Sequence, residues 1–501
     1  MAPPHSEQSG LTRRRLIGTA AVTGIGAAAS GGATAQARTP KRRSRRADVV
    51  VVGAGLSGLA AAHDVVAAGR SAIVVEARKR VGGRTLNHPI GGGKIIEAGG
   101  EWVGPTQDRV DAKMQELGLT TYPTYIEGNH VYLFEGTRMT YTEDGPTGTA
   151  PPDPLIVADI AAATQRLDAM AATVPVAAPW TAPNAAAWDQ QTLETWLRAN
   201  TATERFRDLA RLAVRSILGA EPSEMSLLFA LFYIAAAGNE QNAGTFERLF
   251  STRNGSNQDR LHGGSQLIAL GLAKRLGKRV LLGHPVRQIV QDASGVRVVA
   301  DGVTVRAKRA IVAIPPALAG RIDYSPLLPP SRDQLMQRIP QGIQIKCEAI
   351  YPKPFWRDAG YSGFALTDAG PGQAVFDNSP PDGSPGVLVS FVCGEKARQW
   401  TGRPDAELRA AILKQYGELF GPQALQPTGW FQKAWAREEW SRGCPVGVIP
   451  PGVLMDNGQA LREPVGRIHW AGTETSTYWN GYMDGAIRAG ERAAAEALAG
   501  G

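Results

Sequence analysis

At 501 residues, with 43% apolar and 20% charged side chains, the chain is too long for one core of ordinary size and too balanced in composition to be disordered or fibrous. Its net charge of +8 points to a nucleic-acid or membrane partner only until the charge is located. Residues 1–46 hold nine Lys/Arg and one acid, and the rest of the chain carries 45 of each sign, so no nucleic acid is expected as a partner.

The leader has its own pattern. Thr12-Arg13-Arg14-Arg15-Leu16-Ile17 precedes a mild apolar stretch to Ala29, and Ala33-Thr-Ala35-Gln-Ala37 offers small residues for cleavage. Residues 1–37 therefore read as a twin-arginine export signal, with the translocation machinery as partner and an extracytoplasmic destination. The alternative is a disordered basic tail. The apolar stretch is too short to stay as a permanent membrane span. Residues 38–46 read as a flexible basic linker.

Val49 to Val52 is an apolar run, followed by Gly53-x-Gly55-x-x-Gly58, a helical stretch to Ala68, a second apolar run Ala72–Val75, and Glu76. Strand, turn, helix, strand and acid in that order make a dinucleotide-binding unit. The first glycine makes the tight turn, the second lets a pyrophosphate approach, and the third lets the helix pack on the strand. Ser57 at the helix start faces the phosphates, and Glu76, 18 residues beyond Gly58, is placed to accept the ribose hydroxyls, which argues against NADP.

Helical spacing recurs at Asp108–Leu117, and longer apolar helical stretches are expected at 154–173 and 223–237, with a loop of Ala, Pro and Trp around 177–188. Gly263-Gly264-Ser265 opens another helix to Leu276. Short strands follow at 279–282, 286–290 and 296–300, with an Asp301-Gly302 hairpin turn and a strand at 309–314 stopped by Pro315-Pro316. In Ile343–Tyr351, apolar Ile343, Ile345, Cys347 and Ala349 alternate with Gln344, Lys346 and Glu348. Read alone, Lys346 is a solvated lysine on an exposed strand face. Cys347, Cys393 and Cys444 form no disulfide framework, and no CxxC, HExxH or His cluster supports a metal site.

Glu76-Ala77-Arg78-Lys-Arg-Val-Gly82-Gly83-Arg84-Thr85, then Ala98-Gly99-Gly100-Glu101-Trp102, then Trp435, Cys444, Pro450-Pro451-Gly452 and Ala471-Gly472-Thr473-Glu474 with Trp479, Gly481, Tyr482, Met483 and Gly485-Ala486, resemble the flavin amine oxidase family from Asp48 onward. The resemblance implies FAD and an α/β, two-domain flavoprotein. Its FAD-binding domain is Rossmann-like (47–121, 262–335 and 438–501), and its substrate domain has a mixed or antiparallel sheet and helices (122–261 and 336–437). A homodimer is the family's common state.

By the same resemblance, Gly53, Gly55, Ser57, Gly58, Glu76, Ala77, Arg78, Gly83, Arg84, Gly100, Glu101, Trp102, Val286, Trp435, Cys444, Gly472, Glu474, Tyr482 and Met483 are expected against the FAD, with Val286 giving a backbone contact. Lys346 is expected to hold a water at flavin N5. Tyr482 is one wall of an aromatic cage, and its partner position is Pro445, a departure shared with bacterial cyclohexylamine oxidase-like enzymes. Cys444 stands where some relatives attach flavin covalently, the alternative being a buried thiol. Asn257 or Gln258 is the expected polar contact to substrate.

The expected activity is FAD-dependent oxidation of a primary or secondary amine, by hydride transfer to N5 with O2 as acceptor, giving a carbonyl compound, ammonia and H2O2. Apolar walls would favour the neutral amine. Three alternatives stay open: an L-amino acid oxidase with Arg215 or Arg253 clamping the carboxylate, an amine dehydrogenase using another acceptor, and a flavin-binding protein without turnover.

Overall fold

The computed structural model describes residues 43–145 and 147–499. The export signal and residues 38–42 of the expected linker lie outside the described residues.

Val49–Val52 has four β-branched residues in a row, and a strand with no polar face must be covered on both sides. It is fully buried at the centre of a five-stranded parallel sheet, in the order Val280–Leu282, Ala72–Glu76, Val49–Val52, Arg309–Val312 and Ile468–Trp470. Side-chain alternation then divides the core. Val49 and Val51 pack with Leu59 of the helix Leu56–Ala67 and Ile487 of the helix Met483–Ala499, whereas Val50 and Val52 pack with Val298 and Val305 of a second sheet.

That second sheet runs Arg43–Arg46, Val303–Ala307, Gly295–Ala300, Val286–Asp292 and Asp323–Ser325. Two expectations change here. Arg43–Arg46, assigned to the flexible linker, is a strand paired in parallel with Val303–Arg306, because backbone pairing at an edge needs nothing from the side chains and a charged, exposed edge strand resists further pairing. The Asp301-Gly302 hairpin returns through Val303–Ala307, a strand the sequence reading passed over.

A seven-stranded sheet forms the other body: Gly429–Ala434, Gln344–Tyr351, Gly386–Cys393, Ala374–Asp377, Tyr361–Thr367, Asn129–Phe134 and Thr137–Tyr141. Neighbours are antiparallel except Tyr361–Thr367 beside Asn129–Phe134. The helix Asp405–Phe420 covers one face through Leu408, Ile412 and Tyr416. The other face, with Val389 and Phe391, meets the helices Val157–Ala171, Leu193–Asn200, Glu204–Leu218 and Leu227–Ala235.

Of these, Leu193–Asn200 and Glu204–Leu218 were not expected. Local signals for the longer one are present: Thr203 Oγ1 accepts from Phe206 N, and Gly219 closes the helix in the left-handed conformation at φ +67°. The stretch expected at 223–237 is shorter, Leu227–Ala235, because Ser226 caps it by accepting from Phe229 N. Chain segments cross between the bodies in a three-stranded sheet of Trp102–Val103, Asp259–Leu261 and Thr121–Pro123.

Candidate active site

The two glycine-rich ends of the chain meet. Gly472 N donates to Ser57 Oγ at 2.9 Å, which joins the first turn of Leu56–Ala67 to the segment preceding Met483–Ala499. Between them lies a cavity of ≈ 390 Å³ running from the parallel sheet into the helices over the seven-stranded sheet.

At the sheet end the three glycines serve three different needs. A Cβ on Gly58 would stand 2.0 Å from Gly53 O, so that glycine is required for helix–strand packing and does not line the cavity. A Cβ on Gly55 would meet only Gly83 Cα, at 4.0 Å, and would occupy cavity space. The helix behind Gly55 has no side-chain cap and no acid in its first turn, so its amino end keeps unpaired N–H groups for an anion. Glu76, 4% exposed, accepts from Ala54 N (2.7 Å) through one carboxylate oxygen and from Arg78 N (2.8 Å) through the other, which fixes it at the cavity wall with lone pairs to spare. A cradle open to a pyrophosphate beside a carboxylate fitted to a ribose suits FAD.

Arg78, Gly83, Gly100, Glu101, Trp102, Trp435, Cys444, Pro445, Gly472, Tyr482 and Met483 also line the cavity. Besides Gly58, three expected residues do not. Ala77 follows Glu76 out of the sheet, and Glu474 stands behind Arg84. Val286 begins a strand paired with Ala300, and its side chain packs against the second sheet's core.

Arg84 holds the site's two ends together. Its Nη1 donates to Glu474 Oε1 at 2.6 Å and to Pro445 O at 2.6 Å, and its Nη2 to Glu474 Oε2 at 3.1 Å. Burial alone would push the Glu474 carboxyl up, but the guanidinium holds it below its ordinary value. Trp435 Nε1 donates to Ala98 O at 2.8 Å, setting its indole against the cavity.

Lys346 is 2% exposed, which overturns the solvated reading of its strand face. Its Nζ donates to Glu97 O and to Gly99 O (3.3 Å), and lies 2.9 Å from Glu101 Oε2 and 3.9 Å from Glu348 Oε1. The "polar" face of Gln344–Tyr351 is thus an internal charged layer on the cavity floor.

Tyr482 is positioned by its hydroxyl, which donates to Leu249 O at 3.0 Å, and by Trp479, edge-on at 4.9 Å. Tyr233 stands 6.1 Å from it, ring to ring. Burial pushes both phenols up, so both stay neutral. The sequence reading missed Tyr233 because Leu227–Ala235 is apolar on all sides and its period is invisible. The phenol within that run was the available signal. Asn257 lines the cavity and Gln258 does not; Gln258 faces a separate surface cavity.

Beyond Tyr482 the walls are Leu167, Phe206, Leu209, Ile217, Phe246 and similar side chains, with no charged group among the described residues. The cavity's charged residues are Glu76, Arg78, Arg84, Glu101 and Lys346, all toward the glycine turns and the floor. Arg215 pairs with Glu221 (2.6 Å), and Arg253, half exposed, pairs with Asp144; neither lines the cavity.

The geometry has counterparts. A family model described as flavin containing amine oxidoreductase matches residues 56–498. A Mycobacterium tuberculosis protein named as a flavin-containing monoamine oxidase is 43% identical over 90% of this chain and 96% of its own. An L-amino acid dehydrogenase of Synechocystis is 38% identical over 91% of this chain and 96% of its own. The solved cyclohexylamine oxidase of Brevibacterium oxydans is 36% identical, covers 91% of this chain and 99% of its own, and superposes with a TM-score of 0.85.

Proposed function

The chain belongs to the flavin-containing amine oxidoreductases and is an FAD-dependent amine-oxidising enzyme, and from that premise we propose that it acts on apolar monoamines with O2 as electron acceptor. The observation that carries the substrate class is the uncharged far half of the cavity. A carboxylate or a second ammonium buried there would lack a partner, at a cost of several kcal/mol.

Gly53, Gly55 and the first turn of Leu56–Ala67 would hold the FAD pyrophosphate, Glu76 the ribose, and Trp435, Gly472 and Met483 the ring system. When bound, FAD supplies the two-electron oxidant that takes the amine to an imine, with O2 receiving the electrons and leaving as H2O2. Around it, the chain's own groups orient and exclude. Tyr482 and Pro445 flank the approach, one aromatic and one compact, which leaves room for a branched or alicyclic α-carbon. Apolar walls favour the neutral amine, and Lys346 places a fixed positive charge at the floor, where it orients water. Imine leaving the site hydrolyses to a carbonyl compound and ammonia.

The division into an FAD half (47–121, 262–335, 438–501) and a substrate half (122–261, 336–437) belongs to this proposal; the core under the parallel sheet draws on the FAD half, whereas the core of the other body also takes in Val446, Val448, Leu454 and Trp479 from 438–501. FAD is read as non-covalent. Burial pushes the Cys444 thiol up, keeping it protonated and poorly nucleophilic, and flavin recovered in the supernatant after acid precipitation would bear this out. Export through the twin-arginine route rests on residues 1–37 alone and is tested by following a tagged full chain in cells with and without that machinery.

The specificity is tested by kcat/KM for cyclohexylamine and benzylamine against putrescine and L-amino acids. The proposal expects the apolar monoamines to lead by at least tenfold. An L-amino acid in front would move the reading to the activity named for the Synechocystis relative.

A further inference from the structure

The layer beneath the cavity floor, reached through Glu101 and Lys346, contains more acid than base. Glu97, Glu101 and Glu348 are each at most 1% exposed, and the cations among them are Lys346 and Arg260, 2% and 3% exposed. Arg260 is committed to Glu97, with Nη2 donating to Oε2 at 3.1 Å. Glu101 and Glu348 are left to share Lys346, at 2.9 and 3.9 Å. With all three acids ionised, one buried negative charge is uncompensated, so the layer is poised to take up one proton.

The hydrogen bonding shows where that proton belongs. Among the described residues neither oxygen of Glu101 has a hydrogen-bond partner, but its Oε2 is ion-paired with Lys346 at 2.9 Å; Glu348 Oε2 accepts from Asn378 Nδ2 at 3.0 Å, while Glu348 Oε1, at 3.9 Å from Lys346, and the neighbouring Asn378 Oδ1 have no hydrogen-bond partner. Two buried acceptors without a donor are satisfied when Glu348 takes up a proton.

We propose that Glu348 is the proton store of the flavin site: a buried carboxyl that accepts one proton beside Lys346 during amine oxidation and returns it during reoxidation. The proposal rests on the amine-oxidising reading. Taking a neutral primary amine to its imine removes two electrons and two protons, one from the α-carbon and one from nitrogen. Both electrons and the α-carbon proton leave together as a hydride equivalent, and the second proton, from N–H, must go to solvent or to a group in the site. O2 + 2e⁻ + 2H⁺ → H2O2 then needs both protons back. A carboxylate that becomes a carboxylic acid in the first half and a carboxylate again in the second balances that demand.

The groups that act on Glu348 come from several elements. They are Lys346 on its own strand, Glu101 and Glu97 near Trp102–Val103, Arg260, Asn378, and Tyr416 of the helix Asp405–Phe420. Burial is the largest influence and pushes the Glu348 carboxyl up to about 7, with Lys346 opposing. Glu348 is therefore a positioning residue, acting through Lys346.

The test uses FAD-loaded enzyme and the variant Glu348→Gln. Infrared difference spectra without amine should show a protonated carboxylic-acid carbonyl band that titrates near neutral pH in the wild type and is absent from the variant. A pH dye should then show about one more proton released per flavin in the variant than in the wild type on anaerobic reduction by cyclohexylamine at about pH 8. A wild type with no such band, a band that survives in Glu348→Gln, or equal proton release would overturn the proposal. Should Glu348→Gln fail to fold, Lys346→Met removes the positive charge that favours the ionised carboxyl, and the band's midpoint should rise. No rise would count against Glu348. If amines reduce neither protein, the substrate reading fails while the infrared titration still decides whether Glu348 is the titrating group.

Discussion

Replacing Arg84 with methionine tests how the site is held together. The substitution keeps much of the volume and removes two hydrogen bonds to Glu474 and one to Pro445 O. Glu474 is 3% exposed, so it becomes a buried carboxylate without its partner, for which about 3–5 kcal/mol of destabilisation is expected. At ~2.1 cal/mol/K of unfolding entropy per residue, a cooperative unit of roughly 450 residues would lose about 3–5 °C in Tm.

The loss should depend on pH with a definite sign. In the wild type the Glu474 carboxyl lies below its ordinary value, so its contribution is present above the unfolded value of 4.5 and fades as pH falls through the lowered folded value. Without Arg84 the carboxyl is instead raised by burial and takes up a proton as pH falls, which relieves the variant. Thermal release of flavin fluorescence should therefore show a large deficit at about pH 8 that shrinks near pH 5, with much of it recovered in Arg84→Met/Glu474→Gln. A deficit equal at both pH values, or none at either, would refute the argument.

Gly55→Val should give a folded protein without flavin, because the new side chain meets cavity rather than backbone, whereas Gly58→Ala should fail to fold; circular dichroism with the flavin spectrum separates the two. Lys346→Met should keep FAD bound but slow flavin reduction or reoxidation by well over tenfold in stopped flow, and unchanged rates would remove Lys346 from the mechanism. Pro445→Tyr should lower kcat/KM for cyclohexylamine more than for a slender linear amine, and equal losses would mean that this wall does not select.

The sequence made the dinucleotide turn legible because its requirements are backbone requirements: glycines where Cβ atoms cannot go, then an acid at a fixed distance. The charged layer was harder to read. Lys346 and Glu348 alternate with apolar residues as on any half-exposed strand, and only the opposing acids Glu97 and Glu101, some 250 residues earlier, show that this face is internal. Glu204–Leu218 had a cap, a terminal glycine and a clear apolar face, so its omission was a failure to apply local rules. Tyr233 is different: in a fully buried helix no periodicity indicates which side faces a cavity.

The central claim is that an apolar amine reduces a flavin held between the two glycine-rich ends, and anaerobic mixing of the purified yellow protein with cyclohexylamine tests it most directly. Rapid bleaching of the flavin band and rapid return of colour when air is admitted are expected. Bleaching by L-amino acids but by none of the simple amines would contradict it.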